Sequence, residues 1–563
     1  MSHQSSRPMR FLLVYPEIPD TYWSYRYALP FIGKRALMPP LGLATIAAMI
    51  PREHEVRVVD LNVEELATAE LAAADLVLAS AMIVQNESLA RLIARSRSAG
   101  VPIAVGGPYA TSTPDAVSEA DHLVLGEGEV SFPRFLDDFL SQRAERRYEA
   151  ETKPEITTAP VPRFDLLNMH WYDTIPLQFS RGCPFDCEFC DIVQLFGHRS
   201  RCKTPEQFTR EMDAAFATGF RGALFVVDDN FIGNRRKVKA LLRAVIRWQE
   251  AHGYPFSLST EASIDLAEDP ELLELMVRAG FKMVFIGIES PVEGSLEAAG
   301  KRQNLRRDIA TSIRMIQQAG IEVTGGFIIG FDSDPPEIFD LQIDFIQELA
   351  IPTAMVGMLM ALPNTRLYQR LEAEGRILSA ANGNNTHGTL LNFQPRLPVE
   401  LLEAGYRRVI ATIYDPRVYF NRCLALLRRY PRRSGERAPR TRSRTPIALR
   451  ELAGLARSLM RQTFSPYGPE YLRYLALALL RRPDQIVRIV TMAVEGHHFF
   501  TMTRKTVGRR IARATRSRTV GIRQRPAAAS RLAWAALQAP LVRARPGAAR
   551  RHEPEKPETA GAW

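Results

Sequence analysis

Short apolar runs alternate with amphipathic segments along the first part of the chain. The runs lie at 11–15, 56–60, 76–80, 103–107 and 122–126. They are rich in valine, isoleucine and leucine, as buried strands are. Segments between them, such as 42–50 and 89–99, repeat their apolar positions at helical spacing. This alternation predicts an α/β domain with a doubly wound parallel sheet, whose ligand lies at the carboxyl ends of the strands.

The same alternation resumes after a proline-rich stretch at 154–162, which marks a linker. Six further strands are predicted at 176–180, 222–227, 256–260, 283–288, 323–329 and 354–359. Helical segments such as 237–251 and 270–279 lie between them. Six strands with intervening helices predict a partial (βα)6 barrel, whose site lies at the carboxyl ends of its strands.

From about residue 366 the pattern becomes helical. Helices are predicted at 366–374, 399–413, 471–480 and 485–494, with an Arg/Pro/Ser-rich loop at 428–450. The aromatic residues of this region fit either a hydrophobic core or a cap over the barrel mouth. We therefore predict a sheet domain at 1–150, a linker at 151–172, the barrel at 173–370, a helical region at 371–504 and a basic, disordered tail at 505–563.

The net charge of +11 is concentrated at the carboxyl end. Between Arg504 and Arg551 there are fourteen Lys or Arg residues and no Asp or Glu, so the rest of the chain is slightly acidic. An Ala/Arg/Pro-rich segment of this kind is typical of a solvated extension, although it could also bind RNA or anionic lipid. Since the basic residues lie in the tail, we expect no nucleic-acid partner for the folded part.

Composition and the start of the chain indicate the compartment. The chain is 46% apolar and 24% charged, which is ordinary for a soluble protein. The apolar run at 11–15 is too short for a secretory signal, and no apolar run reaches the roughly 20 residues that span a bilayer. We expect a cytoplasmic protein, with peripheral contact at the inner membrane face as the alternative that the tail allows.

Three cysteines carry the most specific chemistry in the chain. Cys183, Cys187 and Cys190 have the spacing C-x3-C-x2-C. Three thiolates on one loop can hold three irons of a [4Fe–4S] cluster and leave the fourth iron open to an external ligand. Zinc sites usually close with four ligands, whereas Cys202 and Cys423 stand alone in the sequence. Disulfides need an oxidising compartment, which five cysteines in this chain do not indicate.

Small residues close two strands of the first domain. Ser80 closes the third predicted strand, and Gly106 and Gly107 close the fourth. Glycine lets a flat, bulky ligand approach the backbone closely. These three residues are therefore candidates for cofactor binding.

Carboxylates recur at the ends of successive strands of the predicted barrel. Asp228 and Asp229 follow the second strand, Glu261 follows the third and Glu289 follows the fourth. Each carboxylate alone could equally be an ion-pair partner. Their recurrence at the carboxyl ends of the strands makes them candidates for cofactor binding.

The cluster loop resembles the signature of radical S-adenosylmethionine (SAM) enzymes. Together with the strand-end residues of the first domain, it resembles cobalamin-dependent radical SAM proteins over roughly residues 10–370. The closer likeness is to the hopanoid C-2 methylase group. It is carried by 187–192, 203–207, 227–235, 361–365 and 496–498.

The resemblance implies three cofactors: a [4Fe–4S] cluster, SAM bound at its open iron, and cobalamin. It places Ser80, Gly106 and Gly107 at the cobalamin tail, and the barrel carboxylates near SAM. It also implies a reductant such as flavodoxin or ferredoxin, and methyl transfer to an unactivated carbon of an apolar small molecule, such as a hopanoid or another isoprenoid lipid. No catalytic side chain is implied beyond the cluster ligands, because the cofactors supply the chemistry.

Two departures from the family pattern leave alternatives open. The loop 16–20 has no histidine and D-x-H-x-x-G occurs nowhere, so we expect cobalt without a histidine ligand. The segment 20–35, with Tyr22, Trp23, Tyr25 and Tyr27, departs from the hopanoid enzymes and leaves the substrate undecided. One alternative is ring rearrangement or cyclisation without methyl transfer. Another is a non-enzymatic tRNA- or membrane-binding protein with a structural cluster.

Overall fold

The computed structural model describes residues 7–150, 152–386, 391–432 and 449–518, with only the backbone of 449–452 and 508–518. The chain divides into two units, Met1–Val507 and Gly508–Trp563, and the features below belong to the first. Most of the predicted tail at 505–563 and most of the predicted loop at 428–450 lie outside the described residues.

Six parallel strands form the first sheet in the order β2-β1-β3-β4-β5-β6. They are β1 (Arg10–Tyr15), β2 (Glu55–Asp60), β3 (Leu76–Ser80), β4 (Ile103–Gly106), β5 (His122–Leu125) and β6 (Arg147–Glu149). The helices are α1 (Leu41–Ala47), α2 (Thr68–Ala72), α3 (Asn86–Ser98), α4 (Gly107–Ser112) and α5 (Gly128–Leu140). Phe11 belongs to one core and Leu12 to another, as expected for a sheet buried on both faces. The predicted doubly wound sheet is confirmed.

A second sheet has six parallel strands in the order β14-β13-β12-β11-β10-β7, and the predicted α/β barrel fold is confirmed. The strands of this part are β7 (Thr174–Leu177), β8 (Ser180–Arg181), β9 (Arg201–Cys202), β10 (Gly222–Val226), β11 (Phe256–Glu261), β12 (Phe281–Glu289), β13 (Glu322–Ile329) and β14 (Ala354–Met358). The helices are α6 (Ile192–Phe196), α7 (Pro205–Ala217), α8 (Arg235–Ala251), α9 (Pro270–Ala279), α10 (Glu293–Ala298), α11 (Ile309–Gln318) and α12 (Ile338–Glu348). Strands β8 and β9 form a separate antiparallel hairpin that carries the cysteine loop.

A short stretch of the first domain covers the start of the barrel edge at β7. Ala36 forms a parallel bridge with Tyr172. The Arg35 amide donates to the carbonyl of Trp171 at 3.0 Å, and the Thr174 amide donates to that of Leu37 at 2.9 Å. These bonds extend the barrel sheet by a stretch that sequence pattern alone does not predict, because its strand partner lies more than a hundred residues away.

The region after the barrel is helical, as predicted. Its helices are α13 (Arg366–Ala373), α14 (Val399–Ile413), α15 (Pro416–Arg429), α16 (Leu449–Thr463), α17 (Gly468–Arg481) and α18 (Ile486–Arg518). Within the part of the chain that the structure describes, no helix is long and apolar enough to cross a membrane.

Helices α14 and α15 pack near the amino ends of the barrel strands, whereas α13 contacts the cysteine loop, where Arg370 lies 2.6 Å from Glu188. Tyr414 donates to the carbonyl of Ala354, the first residue of β14, at 2.6 Å. The buried Arg422 donates to the carbonyl of Ile351 at 2.7 Å. Tyr22, from the segment 20–35, stacks on Tyr414 with ring centroids 5.6 Å apart. The aromatic residues of α14 and α15 therefore belong to a core at that end, and a cap over the barrel mouth by other parts of this region stays a prediction.

Candidate active site

The cysteine loop is fixed by tight backbone geometry at both ends. Gly182 has φ +94°, and a Cβ there would stand 2.6 Å from the carbonyl oxygen of Arg199, so only glycine fits. The Cys183 amide donates to the carbonyl of Gly197 at 3.2 Å, and the Cys190 amide donates to that of Cys187 at 3.2 Å. The three thiols of the loop are half-buried and free of disulfides. They come from one short loop and can converge on one metal cluster.

Burial raises the pKa of the Cys183 and Cys190 thiols. Deprotonation of these thiols is therefore coupled to metal binding, because a bound metal stabilises the thiolate.

A second segment, 301–304, contacts the cysteine loop. Gln303 donates from Nε2 to Sγ of Cys187 at 3.7 Å, while its own Oε1 is buried without a partner. Lys301 lies 2.7 Å from Oε1 of Glu289, and both side chains are nearly buried. Burial alone would lower the pKa of Lys301, but Glu289 and the thiol of Cys187 raise it. The predicted site residue Glu289 thus forms a buried ion pair beside the cluster loop.

The other predicted carboxylates divide into two kinds. Asp228 is fully buried and accepts from the Phe179 amide at 2.7 Å and from Oγ of Ser180 at 2.6 Å, so it holds the hairpin in place. Asp229 accepts from the Gly182 amide at 3.2 Å and lines a large cavity. Burial raises the pKa of Asp229 to about 6. Burial, and then the charge of Asp229, raise the pKa of Glu261 to about 8.

The cavity of about 1320 Å³ lies at the carboxyl ends of the first sheet and reaches the barrel. It is lined by the predicted residues Ser80, Gly106 and Gly107, and by Asp229 from the barrel side. Two residues of the loop after β1, Glu17 and Ile18, also line it. Among the described residues, no histidine lines the cavity. A cobalt ion without a histidine ligand stays a prediction from the sequence.

The glycines of the cavity are required by protein neighbours, in addition to any ligand. A Cβ on Gly107, whose φ is +85°, would stand 2.2 Å from Oγ of Ser80. A Cβ on Gly106 would stand 2.8 Å from the carbonyl oxygen of Val124. The sequence indicates that these glycines allow close approach of a ligand, and the structure also requires them for packing of adjacent strands.

We expect Gly107→Ala to lower the cobalamin bound per chain while leaving iron unchanged. The substitution places Cβ against Ser80 in a backbone conformation that costs about 1–3 kcal/mol for a non-glycine residue. Gly42→Ala is the matched control, because Gly42 lines the same cavity and a Cβ there would meet no atom within 4 Å. Absorbance spectroscopy and iron analysis measure both cofactors, and equal cobalamin in the two variants would contradict the expectation.

A buried network of four charged side chains connects the cavity of the first domain with the hairpin that carries the cysteine loop. Glu127 accepts from Arg181 at 2.7 Å and from Arg201 at 2.6 Å. Glu129 accepts from Arg181 in a second, bidentate pair at 2.7 and 2.9 Å. Burial would raise the pKa of Glu129, but Arg181 outweighs burial and lowers it. The carboxylates begin helix α5 of the first domain, and the arginines belong to the hairpin that carries the cysteine loop.

A short segment after the barrel, 383–386, also lines the cavity, and we call it the strap. A Cβ on Gly383 would stand 2.3 Å from Cγ2 of Ile83, so the strap lies against the first domain. The Met358 amide donates to the carbonyl of Asn385 at 3.1 Å, and Tyr406 donates to that of Thr386 at 2.7 Å. Sequence reasoning missed this strap, because its glycine and asparagines are typical of an ordinary loop.

Comparison with known proteins agrees with this geometry. Residues 177–346 match the radical SAM superfamily, 35–136 match the B12 binding domain, and 365–512 match a domain of unknown function (DUF4070). An uncharacterized methyltransferase of Synechocystis sp. is 45% identical over 416 residues, covering 74% of this chain and 78% of the relative. The hopanoid C-2 methylase of Rhodopseudomonas palustris is 35% identical over 434 residues, covering 76% and 80%.

The chain belongs to the cobalamin-dependent radical SAM methyltransferases. A solved structure of the radical S-adenosylmethionine methyltransferase TsrM from Kitasatospora setae, with cobalamin and a [4Fe–4S] cluster bound, is similar in fold. The TM-score is 0.57 at 16% identity, and the match covers 85% of this chain and 100% of the TsrM chain. The resemblance stated from the motifs is confirmed, and the interpretation as a non-enzymatic protein with a structural cluster is set aside.

The cofactors of the methyltransferase are a [4Fe–4S] cluster, SAM and cobalamin. The residues present fit them: the half-buried thiols of one loop would hold three irons, and the glycine-bordered cavity would hold the corrin. When bound, these groups supply one-electron cleavage of SAM and a transferable methyl group. The protein's part is positional: Asp229 holds the backbone next to Cys183, and the buried charge network fixes the hairpin relative to the cavity.

We expect Gln303→Leu to shift the midpoint potential of the cluster to a more negative value at unchanged iron content. Hydrogen bonds to cluster sulfurs are among the factors that set such potentials, and this change removes the donor to Cys187. Redox titration followed by electron paramagnetic resonance measures the shift. Gln394→Leu, at an exposed glutamine, is the control, and an equal potential in both variants would remove Gln303 from this role.

Proposed function

We propose that this enzyme methylates an unactivated carbon of a hopanoid or another isoprenoid lipid. The observation that carries the proposal is the 35% identity to hopanoid C-2 methylase across 76% of the chain, which includes parts of all three matched regions. Within the site, we propose that Cys183, Cys187 and Cys190 ligate the cluster. Asp229 and Glu261 remain candidates for contact with SAM.

The lining of the cavity supports an apolar substrate. Trp23 lines the cavity and packs edge-on against Phe285 of β12, with ring centroids 5.2 Å apart. It is 43% exposed, so its ring can contact a ligand. Leu37, Met38 and Pro39 line the same cavity. Trp23 belongs to the segment 20–35 that departs from the hopanoid enzymes, and we propose that this segment selects among isoprenoid substrates.

The test is turnover by the anaerobically reconstituted enzyme with a reduced flavodoxin or ferredoxin and methyl-labelled SAM. An isoprenoid lipid extract serves as the substrate pool. Label in a lipid whose mass has increased by one methylene supports the proposal, and Cys187→Ala is the inactive control. A product of unchanged mass, formed with SAM cleavage, would favour ring rearrangement or cyclisation. Methylation confined to polar molecules would refute the lipid substrate.

We further propose that the enzyme acts in the cytoplasm with peripheral contact to the membrane. A substrate that dissolves in the bilayer has to be reached from its surface. The tail at 505–563 was the sequence-based candidate for this contact, and its basic residues would attract anionic lipid.

A further inference from the structure

Exposed apolar side chains concentrate on one part of the helical region. Across the described residues, thirteen large apolar side chains are exposed, and six of them lie between residues 459 and 487. Phe464 is 88% exposed, Leu480 82% and Met460 63%. Helices α16 and α17 form a helical hairpin, which is distinct from the β8–β9 hairpin. We call its outward side chains the hairpin surface, which comprises Leu459, Met460, Phe464, Leu472 and Leu480.

The inner faces of α16 and α17 pack against each other, and their buried polar groups are hydrogen-bonded. Oγ of Ser458 and the hydroxyl of Tyr471 are 2.9 Å apart, and Gln462 donates to Ser458 at 2.8 Å. All three of these side chains are buried. Met460 lies in the last turn of α16, and Phe464 is the first residue after that helix. Each helix therefore buries a polar and aromatic face and presents apolar side chains to the outside.

The charges around this surface are basic. Between 453 and 487 the only acidic residues are Glu470 and Asp484. Each is paired with an arginine, Arg473 at 2.8 Å and Arg482 at 2.8 Å. Exposed arginines on α16 and α17 remain at 457, 461 and 481. Exposed apolar side chains flanked by arginine, with no free carboxylate, are complementary to the headgroups and acyl chains of an anionic bilayer.

The helix α16 links the hairpin surface to the segment that borders the cavity. Arg457 donates to the carbonyl of Phe31 at 2.9 Å, and the guanidinium of Arg461 lies 5.5 Å from the centre of the Phe31 ring. Pro30, the neighbour of Phe31, lines the cavity, as do Tyr27 and Arg35 of the same segment. The flank of α16 that carries these two arginines thus contacts the segment that borders the cofactor and substrate space.

We propose that the hairpin surface docks the enzyme on an anionic lipid bilayer, with the apolar side chains inserted and the arginines at the headgroups. This inference adds to the proposed lipid substrate but does not depend on it, because binding is measured without substrate. It also differs from the tail hypothesis, since the docking residues belong to folded helices.

The experiment is flotation of the full-length holoenzyme with vesicles of phosphatidylglycerol and phosphatidylcholine, compared with phosphatidylcholine alone. The wild type should bind the anionic vesicles in low salt. The double variant Met460→Ser/Phe464→Ser should lose about tenfold or more in partitioning, since it removes two of the large apolar side chains that would be buried in the bilayer. Leu378→Ser/Leu401→Ser, at two exposed leucines outside the hairpin surface, should bind as the wild type does.

Four further measurements separate this proposal from misfolding of the variants, binding by the tail, dimerisation and failure of the proposed function. Iron and cobalamin contents equal to the wild type show that the variants fold. A truncation after residue 518 should retain most of the apolar-dependent binding; if it abolishes binding while Met460→Ser/Phe464→Ser does not, the tail is the membrane contact and the proposal is refuted. Light scattering tests a second copy as the occupant, and a wild-type dimer that the double variant disrupts would also refute it. Methylation of detergent-dispersed lipid, unchanged in the double variant, tests the proposed function separately.

Discussion

We expect Cys187→Ala, and likewise Cys183→Ala or Cys190→Ala, to abolish SAM cleavage. Reconstituted wild-type enzyme should hold about four irons per chain, because three thiolates and one open site imply a [4Fe–4S] cluster. With two thiolates left, the loop cannot hold the cluster in a defined position beside Asp229. Iron and sulfide analysis together with product detection of SAM cleavage measure the loss.

Cys202→Ala and Cys423→Ala are the matched controls for these variants. Cys202 is buried in β9 and Cys423 is buried in α15, so neither thiol belongs to the cysteine loop. Both variants should retain iron and SAM cleavage. SAM cleavage at the wild-type rate in Cys187→Ala would contradict the assignment of the cluster ligands.

We expect Glu127→Gln to destabilise the protein by about 3 kcal/mol or more, as removal of one partner from a buried ion pair does. The change leaves Arg201, whose side chain is 6% exposed, without its carboxylate and weakens the hold on Arg181. Since Arg181 directly precedes Gly182 and Cys183, the variant should also bind less iron. Urea titration followed by circular dichroism measures the stability, and iron per chain measures the second effect.

Glu149→Gln provides the comparison for this variant. Glu149 pairs with Arg147 at 2.7 Å, but both side chains are more than half exposed, so the pair contributes at most about 1 kcal/mol. Equal urea midpoints for Glu127→Gln and Glu149→Gln would show that the buried network does not stabilise the hairpin. The lowered pKa of Glu129 adds a pH dependence: its stabilisation is present at neutral pH and is lost as the pH falls through that pKa.

The sequence predicts the parts of this protein that are local in the chain. Apolar runs locate nearly all strands of both sheets, and cysteine spacing identifies the cluster loop, because each of these signals is contained in a few neighbouring residues. Strand β6 escapes prediction, since Tyr148 is its only buried side chain. The position of Asp229 at the end of a strand correctly predicts that it lies at the cavity. The same position does not distinguish Asp229 from Asp228, whose carboxylate accepts hydrogen bonds from the hairpin.

The parts that escape prediction are contacts between distant segments. Gln303 reaches Cys187 across more than a hundred residues, and the strap at 383–386 reaches the first domain across about three hundred. The position of the helical region was also open, because helical periodicity shows which face is buried but not what covers it. The hydrogen bond from Arg422 to the carbonyl of Ile351 shows that α15 lies near the amino ends of the barrel strands.

The backbone bridge between Ala36 and Tyr172 has a consequence for how the protein can be divided. An exposed sheet edge is a template for pairing with other chains, and β7 is such an edge in the barrel sheet. In the intact chain, residues 35–37 occupy the start of this edge. A fragment that begins at residue 173 would lack this cover and expose unpaired backbone groups to its neighbours. Residues 35–37 of the cobalamin domain are thus part of the barrel sheet, and we expect a barrel fragment without them to aggregate more readily than the intact chain.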